Sequence, residues 1–434
     1  VAEWIDGLVA EVGATVRERT GAEVARRFER CFGDTLRRTV QRLPDGTAFV
    51  VTGDIPAMWL RDSSAQLTPY LHVAADHPDL ADLLVAVNRR QLEYVVRDPY
   101  ANAFNAGPTG GGHSTDRTES SPWVWERKYE IDSLCAPLHL AADIRRATGR
   151  TDHLDDAYRA AARTTLALWR TEQDHEARSP YRFERDDCPP SDTLVRDGRG
   201  APTAPTGMSW SGFRPSDDAC RYGFNVPGNA FASVVLADLA QIADEVLVDA
   251  ALADEARALR AEIERGIAAH GVVEVDGHGP VYAYEVDGLG GALLMDDANV
   301  PSLLSLPYLG WCAPDDPRYL ATRRFLLSPA NPTYVEGTAA RGIGSPHTPP
   351  DHVWPIALAV EGLTTTDADD RLRLLRTLLD SDAGTGSTHE SFHKDDAAVF
   401  TRAWFSWADA MFCELVLEVA GLRTAARRVT AVRS

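Results

Sequence analysis

Trp123-Val-Trp-Glu-Arg-Lys-Tyr-Glu-Ile-Asp132 runs directly into a helical pattern over 128–149, and Gly149 stops it after Ala142–Thr148. A second helical pattern follows at 153–174. An aromatic and charged lead-in, a helix, a tight stop and a returning helix make one helical hairpin. The same design recurs along the chain. Trp4, Leu8, Val12 and Val16 mark one apolar stripe, and Val24, Phe28, Cys31 and Phe32 mark another. Further helices are expected at about 61–76, 78–97, 225–247, 250–268, 299–308, 316–326, 351–363, 366–381 and 401–421. Strand signals are few. Ala48–Val51 is one, and Val272–Val275 with Val281–Tyr284 reads as a hairpin across Asp-Gly-His-Gly-Pro.

Some thirteen helices, joined by alternating tight and long loops, predict an all-α fold. The expected form is six helical hairpins closed into an (α/α)6 barrel, a toroid of about twelve core helices with minor short β-hairpins. A toroid buries its inner helices all round and leaves the loops of one rim free to build a site. A solenoid would need a fixed-period self-similarity that the sequence lacks. The length of 434 residues allows about three domains at roughly 150 residues each. The Gly/Pro-rich stretches Ala106–His113, Asp197–Met208, Ile343–Pro350 and Asp382–Thr388 are short and fall between helices. One domain over residues 1–434 is therefore expected.

Composition narrows the function. Hydrophobic residues make up 44% and charged residues 25%, as in ordinary globular proteins. With 44 basic against 64 acidic side chains the formal net charge is -20, which argues against nucleic acid and against an anionic membrane surface. The basic residues are nearly all Arg; the lysines are Lys128 and Lys394. No apolar run approaches the roughly 18 residues of a membrane span, Val353–Val360 being about half as long. Val1–Val16 carries Glu3, Asp6 and Glu11 and does not read as a secretory signal. The first residue is not Met, so an upstream segment could have been trimmed. Cys31, Cys135, Cys188, Cys220, Cys312 and Cys413 lack CxxC spacing and suit reduced thiols, so a cytoplasmic location is expected.

Six segments concentrate Trp, Arg, Asp and Pro at helix starts and in loops. They are Thr52-Gly-Asp-Ile-Pro-Ala-Met-Trp-Leu-Arg-Asp-Ser-Ser64, Trp123–Asp132, Ser211-Gly-Phe-Arg-Pro-Ser-Asp-Asp218, Met295-Asp-Asp-Ala-Asn299, Gly344-Ser-Pro-His347 and His389-Glu-Ser-Phe-His393. Singly, each has an ordinary explanation: Asp62 and Ser63 could cap a helix, Asp217 and Asp218 could be a solvated loop, and Trp404 and Trp407 could be core. Together they describe a polyol site, which needs many fixed hydrogen-bonding groups and aromatic faces. Glycoside hydrolysis also needs two carboxyl groups, one to protonate the leaving oxygen and one to activate water or attack. Asp217 or Asp218 with Glu390 are the best candidates. Repulsion between the adjacent aspartates, or burial, would hold one of them protonated near neutral pH. His389-Glu-Ser-Phe-His393 also matches the H-E-x-x-H pattern of zinc proteases, with Glu414 placed as a third ligand. That pattern needs both histidines on one helical face, whereas this one follows the loop Asp382–Thr388.

The strings Thr52–Ser64, Ser211–Asp218 and His389–Phe392 resemble glycoside hydrolase family 125, the bacterial and fungal exo-α-1,6-mannosidases, and the resemblance covers essentially the whole chain. It implies an (α/α)6 barrel that needs no metal or other cofactor, inverts the anomeric centre and removes terminal mannose from α-1,6 linkages. It implies an aspartate of Arg-Pro-Ser-Asp-Asp as general acid, with Asp217 favoured over Asp218, and Glu390 as general base. Inversion would place the two carboxyl groups roughly 6.5–9.5 Å apart. Arg61 and Asp62 would hold ring hydroxyls beside Trp59. Glu126, Asp132, Arg214, Asn299 and His347 are further candidates for the substrate pocket. The expected partner is a mannose-containing oligosaccharide or N-glycan fragment, and the expected state a monomer or weak homo-oligomer. Three rivals remain: another toroid exo-glycosidase of α-glucosidase or trehalase type, the zinc protease, and a non-catalytic glycan-binding protein.

Overall fold

The structure, a computed structural model, describes residues 2–424. Its principal helices, in chain order, are α1 (Ala2–Thr20), α2 (Ala22–Asp34), α3 (Leu60–Ala65), α4 (Thr68–Leu71), α5 (Pro78–Arg97), α6 (Ile131–Thr148), α7 (Asp156–Glu172), α8 (Val226–Ile242), α9 (Ala250–His270), α10 (Leu306–Leu309), α11 (Pro317–Leu326), α12 (Pro355–Thr364), α13 (Ala368–Asp380) and α14 (Ser406–Val419). Six inner segments form a closed ring. α3 packs on α6, α6 on α8, α8 on α10, α10 on α12, α12 on α14, and α14 returns to α3 and α4. The remaining helices lie outside, with α9 against α8, α13 against α12, α2 against α14, and α5 and α7 against one another. The chain is thus an (α/α)6 toroid.

Inner and outer helices differ in the way the sequence requires. All ten residues of α12 are buried, and α14 is buried continuously from Ser406 to Leu417. The outer α13 buries only Leu374, Leu375 and Leu378 on one face. Four outer helices start from aspartate caps: Asp155, Asp249, Asp316 and Asp367 each accept backbone N–H bonds at the starts of α7, α9, α11 and α13. α6 ends where expected, at Gly149, whose φ of 72° is the left-handed stop. Most buried apolar side chains, from Ile5 to Ala420, form one contiguous cluster. No described helix is long and apolar enough to cross a membrane.

Three expected helices are shorter than their patterns. The 61–76 stretch breaks into α3, α4 and a 3-10 turn at Ala74–Asp76, where the Ser63 and Ser64 hydroxyls bond back to the Leu60 carbonyl and Pro69 starts a new turn. Only Leu306–Leu309 of 299–308 is helical, because the Asp296 carboxylate takes the N–H groups of Leu303 and Leu304. The 401–421 pattern starts at Ser406, since Asp396–Thr401 is a strand.

The strands also go beyond hairpins. Val272–Val275 does pair with Gly279–Tyr282, and Ala48–Val50 with Val40–Arg42. Three-stranded sheets, however, join distant segments: Met58–Trp59 with Ala103–Phe104 and Val124–Glu126; Phe224–Asn225 with Glu285–Val286 and Ala292–Leu293; and His352–Val353 with Ser391–His393 and Asp396–Thr401. A strand of each sheet leads within a few residues into an inner helix, α3, α6, α8, α12 or α14. These small sheets therefore set the rim at which the inner helices begin.

Candidate active site

The rim surrounds an open cavity of about 360 Å3, counting the part that solvent reaches. Because inner helices begin there, their first turns deliver side chains to it. The strand Met58–Trp59 places Trp59 against the cavity, and Arg61 and Asp62, the second and third residues of α3, follow it in. Phe405 and Trp407 enter from the start of α14, and Trp354 from the start of α12.

Arg61 is the electrostatic centre. Its guanidinium is buried and donates from Nη1 to Glu130 Oε2 (2.5 Å) and Asp132 Oδ2 (3.1 Å), and from Nη2 to Asp217 Oδ1 (3.2 Å); Asp62 Oδ2 lies at 3.5 Å. Glu130 and Asp132 stand at the start of α6, so one helix end supplies two of these carboxyl groups. Asp217 arrives on a tight turn with φ of 67°, closed by a bond from its own N–H to the Arg214 carbonyl. The Lys128 ammonium donates to the Asp217 backbone carbonyl (2.8 Å) and to Asp192 (2.6 Å). Asn102 spans the group, donating to Glu126 (3.0 Å), Glu130 (3.1 Å) and Asp217 (3.4 Å).

This crowding separates the carboxyl groups. Burial pushes Asp62 up to about 6, partly opposed by Arg61. Burial would raise Asp217 too, but a hydrogen bond from Glu130 and the charges of Arg61, Lys128 and His347 hold it well below the usual carboxylate range. Glu130 moves the other way, raised by burial and by Asp217 and Asp132 against the pull of Arg61. The sequence expectation that one of Asp217 and Asp218 keeps the proton is therefore corrected for Asp217. It has Arg61 for a partner, and the carboxyl group of this cluster that burial and its acidic neighbours push up is Glu130.

Glu390 lines the same cavity from another segment of the chain. It precedes the strand Ser391–His393, and its Oε1 lies 3.6 Å from Arg402 Nη1. Arg402 pairs with Asp54 and stacks over Phe405, 4.4 Å from the ring centroid. Two bonds anchor the approach to Glu390: Thr388 N–H donates to Asp409 Oδ1 (2.7 Å) and Arg27 donates to Thr388 Oγ1 (3.1 Å). His347 lines the cavity too, its Nδ1 3.0 Å from Asp218 Oδ1. Burial opposes its charge, yet Asp218, Asp217 and Glu390 push its pKa up to about 9.

Of the residues singled out from the sequence, Trp59, Arg61, Asp62, Asp217, Asn299, His347 and Glu390 line this one cavity. Four do not line it. Asp218 is buried on His347, and its second oxygen has no hydrogen-bond partner among the described residues. Asp132 backs Arg61. Glu126 pairs with Arg185 (2.7 Å), and Arg214 with Glu285 (2.6 Å). Sequence reading missed Asn102, Glu130, Glu285 and Arg402. Glu130 lay inside a quoted segment, but an acid ahead of a helix reads as an ordinary N-terminal residue. The H-E-x-x-H pattern is not helical: residues 391–393 are a strand, His389 stacks on Phe400 at 3.7 Å, and Glu414 pairs with His72 and Arg423. The shared helical face of a zinc protease is absent here.

Comparison with known proteins agrees with this geometry. The family profile described as metal-independent alpha-mannosidase (GH125) matches residues 21–417. A Streptococcus pneumoniae protein, solved in a non-productive complex with α-1,6-mannobiose and described among metal-independent alpha mannosidases, is 49% identical, with a TM-score of 0.95 over 96% of this chain and 99% of that one. The meiotically up-regulated gene 157 protein of Schizosaccharomyces pombe is 39% identical over 419 residues, 92% of this chain and 82% of its own length. A bacterial glucoamylase solved with acarbose shares the fold at a TM-score of 0.55 and 14% identity, over 86% of this chain and 50% of that one. The chain belongs to glycoside hydrolase family 125, the metal-independent α-mannosidases.

Proposed function

We propose that the chain is an inverting exo-enzyme that releases terminal mannose from α-1,6-linked oligosaccharides, and that residues 1–434 form one catalytic domain. The observation that carries this reading is that Asp217 and Glu390 line one cavity together with Trp59, Arg61, Asp62 and His347. The α-1,6-mannobiose bound by the pneumococcal relative supports the linkage.

Asp217 is the general acid and protonates the glycosidic oxygen as the bond to the anomeric carbon breaks. Glu390 is the general base and takes a proton from the water that attacks the other face of that carbon. Arg61 and Asp62 bind sugar hydroxyls, and Trp59 supplies an apolar face. His347, carrying a proton, balances the acidic pocket. Proton NMR of hydrolysis of α-1,6-mannobiose tests sugar, linkage and stereochemistry together. Mannose released first as the β-anomer is expected. First release of the α-anomer would sink the inverting mechanism, and no release would sink the substrate.

A further inference from the structure

Four carboxyl groups, Asp62, Glu130, Asp132 and Asp217, meet the single guanidinium of Arg61. If all were ionised, four negative charges would share that one guanidinium in a buried cluster, with Lys128 and His347 beside Asp217 as further cations. Like charges so confined force a proton onto one of them. Position decides which. The Glu130 side chain is fully buried, whereas Asp217 is 24% exposed, faces the cavity and has Lys128 and His347 near it. Glu130 Oε2 accepts from Arg61 (2.5 Å) and Ser133 (2.8 Å), and Oε1 accepts from Asn102 (3.1 Å), which also reaches Asp217. Arg61 and Asn102 thus clamp the two carboxyl groups together from two sides.

We propose that Glu130 holds, in the resting enzyme, the proton that Asp217 delivers to the glycosidic oxygen. The inference rests on the assignment of Asp217 as general acid. The opposite displacements of the two groups, Glu130 raised by burial and by its carboxylate neighbours and Asp217 lowered by the bond from Glu130 and by nearby cations, agree with it. Other groups facing Glu130 are Asp132 on its own helix, Tyr181 and Cys220. On binding, the glycosidic oxygen meets Asp217. The proton passes from Glu130 to Asp217 and on to that oxygen, which also takes the electron pair of the breaking bond. Glu390 gains one proton from the attacking water. Solvent then removes that proton and restores one to Glu130, so the cycle balances. Glu130 acts through Asp217 and is a positioning residue.

The test compares wild type, Glu130→Gln and Asp217→Asn on α-1,6-mannobiose and on 2,4-dinitrophenyl α-mannoside, whose leaving group needs no proton. Asp217→Asn is expected to lose about 100-fold or more on mannobiose and little on the dinitrophenyl substrate. Equal losses on both would refute Asp217 as the acid and the proposal with it. Glu130→Gln keeps the shape of the side chain but carries no transferable proton. The alkaline limb of kcat/KM on mannobiose is expected to move down by about one pH unit or more, with the dinitrophenyl profile unmoved. An unmoved alkaline limb, or equal losses on both substrates, overturns the role of Glu130 while leaving the acid assignment standing. If Glu130→Gln does not fold, wild type labelled with carboxyl-13C glutamate decides. One glutamate carboxyl coupled to the cavity, shifting in Asp217→Asn, is expected to stay protonated at neutral pH; none so behaving overturns the proposal.

Discussion

Glu390→Gln keeps the shape of the side chain and removes its basicity. It is expected to lower kcat on a mannoside by about 100- to 10,000-fold, with the thermal midpoint nearly unchanged, as read by steady-state kinetics and a melt. His347 makes a pH-dependent contribution of the opposite kind. Its folded pKa of about 9 lies above the ordinary histidine value, so its stabilisation is complete below about pH 6.5 and is lost as pH rises towards 9. The thermal midpoints of wild type and His347→Gln are therefore expected to differ most on the acid side and to converge by about pH 9. A gap that stays constant across that range would mean that His347 contributes by packing alone. With its side chain 35% exposed, the size of the gap is tempered by solvent. At this scale Asp217 and Glu390 were legible, because each sits in a loop among aromatics and Arg. Glu130 and Asn102 were not, because their meaning lies in Asp217 and Arg61, which the fold alone brings beside them.

At the scale of elements, the segment ahead of Glu390 is held by a latch. Asp409 in the first turn of α14 accepts from Thr388 N–H at 2.7 Å and from the Cys31 thiol of α2 at 3.1 Å. Asp409→Ala leaves a buried N–H unpaired and frees the segment ahead of Glu390. A loss of about 1–3 kcal/mol in urea unfolding is expected, with kcat falling more than KM changes. A stability loss with kcat intact would show that the segment is held by other contacts. The latch has no sequence signature, since Cys31, Thr388 and Asp409 belong to three separated segments. What periodicity reports well is a helix whose termini carry their own signals. The 78–97 pattern is a helix over that same range, opened by Pro78 at its first turn. It reports poorly where a side chain competes for the backbone. The 299–308 stretch looks helical by its apolar residues, but Asp296 captures two of its N–H groups and keeps most of it a loop. The three-stranded sheets escaped notice for a related reason: apart from Asp396–Thr401, their strands have two or three residues, too short to show alternation.

At the scale of the molecule, ring closure and site assembly are the same event. The cavity draws on Thr52 to Asp62, Pro215 to Asp217, Asn299, His347 to Trp354 and Glu390 to Trp407, so segments from across the chain must arrive together. α14 closes the ring by packing on α12, on α2 and on α3, and it carries Trp407 under the Arg61 guanidinium, 5.5 Å from the ring centroid. Opening the ring at that seam would expose the inner faces of α3 and α12 and separate Glu390 from the Arg61 cluster at once. Mannosidase activity, tryptophan fluorescence and helical circular dichroism are therefore expected to be lost at one common urea midpoint. Activity lost at a clearly lower urea concentration, with helix content intact, would mean that the rim sheets unfold apart from the ring. Two separated steps in helix content would mean that the toroid is not one cooperative unit, and the single-domain reading would fail.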